Sequence, residues 1–464
     1  MPKTGLRRAS SREGIRGYVF VRSLGQGIAA RQAQGAERAM SDLALASPSQ
    51  TASAEAVYAL RTVLATLILT VGFVSLTPYA SIYTGDAGGN ILNQLGYGLL
   101  ALIVMVGHLV FTERRVARAL LRPSWVLLLG WLALSSLQTA DPADTFRGVV
   151  FAGISMLAVT GALCLPPDGR SLRIALGFAV MTALVMSYAG VFIWPSLGRH
   201  VGDVHAGLWR GIYSHKNVAG AAMAVFFFAG VYLFRMKSHM IGLLIMLLSA
   251  VFILRTGSKT SLGLTIIVFV VVMSAHVSKV RAAPVIVALL ALLGAAYFTI
   301  GTVLFSFSRE IVQAIAPGTS FTGRLELWRM ALGAMEGHGW TGYGHGAFWT
   351  LANLIHQEIP MEFSWDPRGA VNAHEGYLDI ALSVGWPGLI LALWVLVGAP
   401  LKSYLHVAPG RESTRLADFF LMSLLFLLLN AMLESFFFER ANSLWVMTFF
   451  VVAGLNLLGR FRTD

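Results

Sequence analysis

Four polar side chains, Arg210, His215, Lys216 and Asn217, stand within the stretch RGIYSHKNVAG (210–220), where the chain enters a long apolar run. Arg210 can snorkel to phospholipid headgroups or hold an anionic ligand. His215 and Lys216 are placed to meet an anion, because the unpaired N–H groups of a helix start carry partial positive charge. Asn217 is of a type that caps helices. A second basic pair, Arg255 and Lys259, occupies a turn too short to be a domain. Lys259 suits a lipid phosphate and equally an interface anchor. The GSKT at 257–260 lacks the earlier glycine and the strand of a phosphate-binding P-loop.

A long polar segment, 306–376, carries the remaining candidates. Arg324, Trp328, Met330, Ala331 and Ala334 predict an amphipathic helix lying on the membrane surface. The glycine-rich run GHGWTGYGHG (337–346) includes a G-x-G-x-x-G, but no strand–helix context makes it a dinucleotide site. Trp340, Tyr343, Phe348 and Trp349 offer stacking faces for a sugar or lipid. His338 and His345 lack the tight ligand spacing of a metal centre. His374, in NAHEGY (372–377), stands at a helix start, and histidine is the natural general base near neutral pH. The loops hold no D-x-D pair for a divalent cation. No metal and no other cofactor is expected, so protein cations would stabilise an anionic leaving group.

These residues must be positioned by helices in lipid. Of 464 residues 56% are hydrophobic and only 12% charged, against about 25% in soluble domains. Apolar runs recur at 57–79, 96–112, 124–138, 148–166, 172–194, 217–234, 239–254, 260–276, 283–305, 377–399, 415–437 and 443–459. They predict an all-α polytopic membrane protein of about twelve transmembrane helices. A β-barrel is excluded because the runs do not alternate. The net charge of +12 collects mostly in alternate short loops, as the positive-inside bias requires, rather than marking a nucleic-acid partner. That alternation puts both termini in the cytoplasm and the regions 195–217, 255–261 and 306–376 on the opposite side. Residues 1–56, rich in Arg, Ser, Ala, Gly and Gln, read as a disordered cytoplasmic tail. The single cysteine, Cys164, forms no intramolecular disulfide.

Taken in order, the motifs WRGIYSHKNVAG (209–220), GSKTSL (257–262), GRLELW (323–328), GYGHGAF (342–348) and AHEGYLDI (373–380) resemble the O-antigen ligase/Wzy polymerase superfamily. Within it the resemblance is closest to polymerases of exopolysaccharide synthesis. The resemblance divides the chain into transmembrane helices at 57–205, a ligase/polymerase-like catalytic region at 206–400 and C-terminal helices at 401–464. It implies a GT-C-like glycosyltransferase of the bacterial inner membrane, metal-independent and inverting, with its active site on the periplasmic face. Such an enzyme moves a glycan from undecaprenyl diphosphate to an acceptor sugar hydroxyl. By motif, Arg210 and Arg324 would bind the diphosphate and His374 would be the base, with His215, Lys216, Asn217 and Lys259 in support. The implied partners are the lipid-linked oligosaccharide, an acceptor glycan, membrane lipids and other polysaccharide assembly proteins. Lys216 and Lys259 stand where ligases commonly have other residues, which favours a polymerase over a ligase acting on lipid A core. A transporter is the alternative from another class. Transporters keep ionisable residues near the bilayer midplane, whereas Asp379, Asp418 and Glu434 fall near predicted span ends.

Overall fold

The computed structural model describes residues 48–79, 91–202, 205–278, 280, 282–318, 321, 323–357, 363, 365–440 and 442–461. Residues 1–47, most of the expected tail, lie outside the described residues, and from Pro48 the chain is helical. The chain divides at Leu60 into two units, and the described part of the first is the opening of helix α1 (Pro48–Val74).

The second unit completes α1 and adds α2 (Ile91–Phe111), α3 (Arg114–Leu120), α4 (Pro123–Ser135), α5 (Pro142–Cys164) and α6 (Gly169–Phe192). There follow α7 (Lys216–Arg235), α8 (His239–Thr256), α9 (Lys259–Ser278), α10 (Ala283–Phe298), α11 (Ser306–Ile315) and α12 (Arg324–Ala334). The chain closes with α13 (Gly376–Leu393), α14 (Ala399–Leu405), α15 (Arg411–Asn430) and α16 (Ser443–Leu458). Among the described residues there is no strand, only an isolated bridge between Arg199 and Trp209.

Every expected apolar run holds a helix, but fewer than twelve of these helices have the length and hydropathy of a full span. Among the described residues seven helices are long and apolar enough to cross a membrane, or eight if α3 and α4, bent by 43°, form one broken span. The others fall short for identifiable reasons. Helices α10 and α16 have 16 residues each, about 24 Å at 1.5 Å per residue, against a hydrocarbon core of about 30 Å. Helix α15 is long enough but spends its first turns on Arg411, Glu412, Arg415 and Asp418.

Helices α7, α15 and α16 form the core. Small residues along α7 (Gly220, Ala221, Ala222, Ala224) let its neighbours approach closely. Tyr232 of α7 stacks on Phe419 of α15 at 5.8 Å, and Phe228 meets Phe426 at 6.1 Å. Asp418, fully buried, is paired with Arg235 at 2.7 Å. Leucines of α2, α4, α8 and α10 face outward, as lipid-facing surfaces do.

Two interruptions shape one end of this assembly. Helix α15 stops at Asn430, seven residues before the expected run ends, and 431–440 continue as non-helical chain. Helix α13 is broken at Gly385, whose φ of +71° only glycine adopts readily. The carbonyls released there accept from the glycine-rich loop: Tyr343 N–H donates to Leu382 O at 2.7 Å and Gly344 N–H to Ser383 O at 3.0 Å. In return Trp386 N–H donates to Gly339 O at 2.8 Å, and Trp131 Nε1 donates to Val384 O at 2.9 Å.

The structure therefore corrects the reading of 337–349 as a set of stacking faces. Phe348 is buried, Tyr343 lies against His338 and donates to Ala334 O, and only Trp340 is widely open, at 80% exposure. It also corrects α12, which is a helix as expected but not one lying on lipid. Leu327, Trp328, Met330 and Ala331 are buried in a second apolar cluster with Phe348, Ala373, Leu378 and Leu382.

Candidate active site

The loop before α7 is threaded tightly into the helix ends. Arg210 and Gly211 N–H both donate to Gly198 O at 2.9 Å, and Ile212 O accepts from Tyr79 N–H at 2.9 Å. Gly211 is required at φ +58°, where a Cβ would come within 2.7 Å of Ser187. Tyr213 is buried, and its hydroxyl donates to Phe73 O at 3.1 Å. Arg210 is buried too, with Nη1 donating to the carbonyls of Tyr213 and Ser214, both at 3.3 Å. Burial lowers its pKa, yet a guanidinium stays protonated in proteins.

His215, not Asn217, caps α7. Its Nδ1 accepts from Asn217 N–H at 3.3 Å, which leaves the proton on Nε2. Burial pushes its pKa down to about 4; Glu434 opposes this, and His200, His205 and Lys216 add to it. His215 is thus neutral near pH 7 and offers a hydrogen bond rather than a charge. Its ring packs with His200 and His205, the three centroids 5.0–5.6 Å apart. Lys216 N–H donates to His200 Nε2 at 3.1 Å.

The Asn217 side chain points elsewhere, and this is the decisive contact of the region. Its Nδ2 donates to Glu434 Oε1 at 2.8 Å. Arg324 Nη2 donates to the same oxygen at 2.9 Å. His374 Nδ1, which has no other hydrogen-bond partner, lies 3.5 Å from Glu434 Oε2. One carboxylate therefore joins α7, α12 and the loop before α13. Burial alone would raise the pKa of Glu434, but His374 and Arg324 outweigh it and hold the carboxyl below its usual range.

Local sequence explains how Arg324 and His374 come together. Gly323, at φ +81°, starts α12, so Arg324 and Trp328 are one turn apart on one face. Trp328 Nε1 donates to Ala373 O at 2.9 Å and so docks that face on the His374 loop. The loop itself is held at three successive N–H groups. Ala373 N–H donates to Asp379 Oδ1 at 3.1 Å, His374 N–H to Asn372 Oδ1 at 3.0 Å and Glu375 N–H to Ser435 Oγ at 3.1 Å. Ser435 in turn donates to Asp379, which also accepts from Trp349 Nε1 at 2.6 Å. This cage holds His374 at φ +49°, a conformation a non-glycine residue adopts only when its surroundings impose it. The imidazole remains 45% exposed.

Of the residues singled out from sequence, Asn217, Arg324 and His374 converge on Glu434, with His215 close enough to feel its charge. Lys259 does not join them; it opens α9, exposed, two residues after the left-handed turn at Gly257. Arg255 lies over the Trp209 ring at 5.2 Å. Among the described residues no group of three His, Cys, Asp or Glu side chains is arranged to hold a metal.

Residues 243–393 match the family model described as O-antigen ligase. The match supports the resemblance to the O-antigen ligase/Wzy superfamily over about a third of the chain. Arg324 and His374 lie inside the matched segment; Arg210, Asn217 and Glu434 lie outside it. No curated protein matches the chain.

Proposed function

We propose that this protein is a membrane glycosyltransferase of the ligase/polymerase type, GT-C-like, acting on the extracytoplasmic face of a bacterial inner membrane. Its donor is a glycan on undecaprenyl diphosphate, and its acceptor a sugar hydroxyl. The observation that carries this reading is the convergence of Arg324 and His374, both within the O-antigen ligase match, on Glu434.

In this reading Glu434 holds Nδ1 of His374, leaving Nε2 to take the proton from the acceptor hydroxyl. The hydroxyl oxygen attacks the anomeric carbon, the bond from that carbon to the phosphate oxygen breaks, and its electron pair leaves with the diphosphate. Attack opposite the leaving group inverts the anomeric configuration. Charge grows on the diphosphate as the bond breaks, so cations fixed beforehand lower the barrier. Arg324 and Arg210 serve this purpose, a guanidinium fork matching two phosphate oxygens at once. His215 and Asn217 contribute neutral donors at the start of α7, whose N-terminus favours an anion. No metal is required by this scheme.

We favour a polymerase that joins lipid-linked repeats, on the grounds of Lys216 and Lys259. The description of the matching family supports the second reading, a ligase that moves a finished glycan to lipid A core or another acceptor. A strain lacking the protein decides between them. Accumulation of a single lipid-linked repeat indicates a polymerase, accumulation of long lipid-linked chains a ligase, and neither would defeat both.

A further inference from the structure

The turn between α4 and α5, the loop that follows the glycine-rich run and the chain after α15 enclose a cleft of 480 Å³ that the proposed chemistry does not use. Its volume lies within the range of about 300–1,000 Å³ for small-molecule sites. Thr139, Asp141 and Thr145 line one wall, Thr350 and Asn353 the other, and Glu439 and Arg440 the floor. It shares His345, Gly346 and Glu439 with a smaller cavity of 170 Å³, lined also by Asn372, Asp379, Ser435 and Trp349. Asn372 is two residues from His374, and Ser435 adjoins Glu434. The two cavities therefore lie side by side, the smaller one behind the loop bearing the base.

Its chemistry differs sharply from that of the cation-bearing cluster. The cation on its floor, Arg440, is engaged by Asp144, through the carbonyl at 2.8 Å and the carboxylate at 3.1 Å. Burial pushes the pKa of Glu439 up to about 7, an effect that Asn442 opposes and Asp379 and Glu434 reinforce. Burial likewise pushes His345 down to about 4, with Arg440 adding to the shift and Phe438 opposing it. The lining holds hydroxyls, an amide, carboxylates and a neutral imidazole without net positive charge; Thr139, Thr350 and Asn353 donate to the carbonyls of Ser136 and Ala347 and keep oxygen lone pairs for a ligand. A diphosphate or an anionic headgroup would meet repulsion there. A polyhydroxylated molecule, each hydroxyl both donor and acceptor, can satisfy such walls. The walls are also fixed in place. Gln138 Nε2 donates to Thr341 O at 3.0 Å, and Gly344 lies so close to Thr139 that a Cβ would overlap its methyl group.

We propose that this cleft is the subsite for the acceptor glycan, binding an uncharged oligosaccharide whose terminal sugar reaches His374 past Asn372. The proposal rests on the glycosyltransferase reading for the role of the bound sugar, but the binding itself does not. The test uses the full-length protein in nanodiscs and, as probe, the repeat-unit oligosaccharide released from the producing cell's own polysaccharide. Binding is followed by calorimetry, and transfer from a lipid-diphosphate donor is measured separately. Thr350→Phe, which fills the mouth, should weaken oligosaccharide binding and raise the acceptor KM about tenfold or more, with the donor KM unchanged. Thr145→Val keeps shape but removes one hydroxyl, and should weaken binding about three- to tenfold. Millimolar oligosaccharide failing to bind the wild type, unchanged affinity in both variants, or a rise in donor KM alone would overturn the subsite. If both variants lose oligosaccharide binding while His374→Ala still transfers, the subsite stands and the catalytic reading falls. If His374→Ala is inactive and both variants bind normally, the reverse holds.

Discussion

Glu434 and Glu375 are carboxylic acids withdrawn from solvent on either side of His374, yet they are held in opposite states. Glu434 accepts from Arg324 and Asn217 and faces His374, and these partners keep it ionised. Glu375 caps α13 through Leu378 N–H, and burial pushes its pKa up to about 8, with the Leu378 hydrogen bond opposing and Asp379 reinforcing. Burial disfavours the charged form of both groups, and only Glu434 has cations beside it. Glu434 is thus the ionised carboxylate that touches both proposed functional groups, while Glu375 serves as an uncharged brace.

That contrast can be broken at either residue. His374→Ala, which removes the proposed base that Glu434 positions, should lower kcat about 10²–10⁴-fold. Arg324→Lys keeps the charge on Glu434 but loses the planar fork, and should cost about 10²-fold in transfer of the lipid-linked glycan. Glu434→Gln should lower kcat about ten- to a hundredfold with the acceptor KM unchanged, and Glu434→Asp should recover part of that loss. Glu375→Gln should leave transfer within about threefold at pH 6.5, because the native group is already neutral there. Its signature is in stability. The native carboxyl has a folded pKa of about 8 against an ordinary value of 4.5, so stability falls as pH rises through that window. The glutamine variant lacks this slope. Its melting temperature should pull ahead of wild type from about pH 5 to about pH 8 and then run parallel. An equal loss of activity in Glu434→Gln and Glu375→Gln would erase the distinction. The smallest effect is expected at His215, whose folded pKa near 4 lies below the usual 6.5. Wild-type stability should decline as pH falls from 6.5 to 4, since the unfolded chain takes up the proton first, and His215→Gln should flatten that decline.

Motif order singles out Arg324 and His374, but only the structure brings them to one carboxylate. The helical class is legible in the sequence because apolar runs are a local signal. Glu434 is hidden by the same logic. It sits in 415–437, apolar enough to pass for one span, with three phenylalanines following at 436–438. The helix ends at Asn430 because the next carbonyl, that of Ala431, accepts from Gly376 N–H at 2.7 Å, a contact no local pattern announces. A signal did exist. Asn430, Glu434, Glu439 and Arg440 punctuate an apolar stretch where ionisable groups are costly, which is itself grounds for a functional reading. Asn217 illustrates the opposite error. Its type fits a cap, but His215 took that role and freed the amide for Glu434. The cleft lies beyond sequence altogether, since its walls come from segments near 140, 350 and 440.

The break at Gly385 has a bearing on how the protein is made. In an unbroken helix each carbonyl finds its partner four residues later, so the segment can close its own ladder as it enters the bilayer. Here Leu382 and Ser383 wait for the amides of Tyr343 and Gly344, some forty positions earlier in the chain. The glycine-rich loop must therefore already be in place when α13 packs, or those carbonyls would be left without partners. Synthesis from the N-terminus delivers the two pieces in that order. A circular permutant that opened the chain between residues 346 and 376 would reverse it, and should stall in assembly even though every contact of the finished protein remained available.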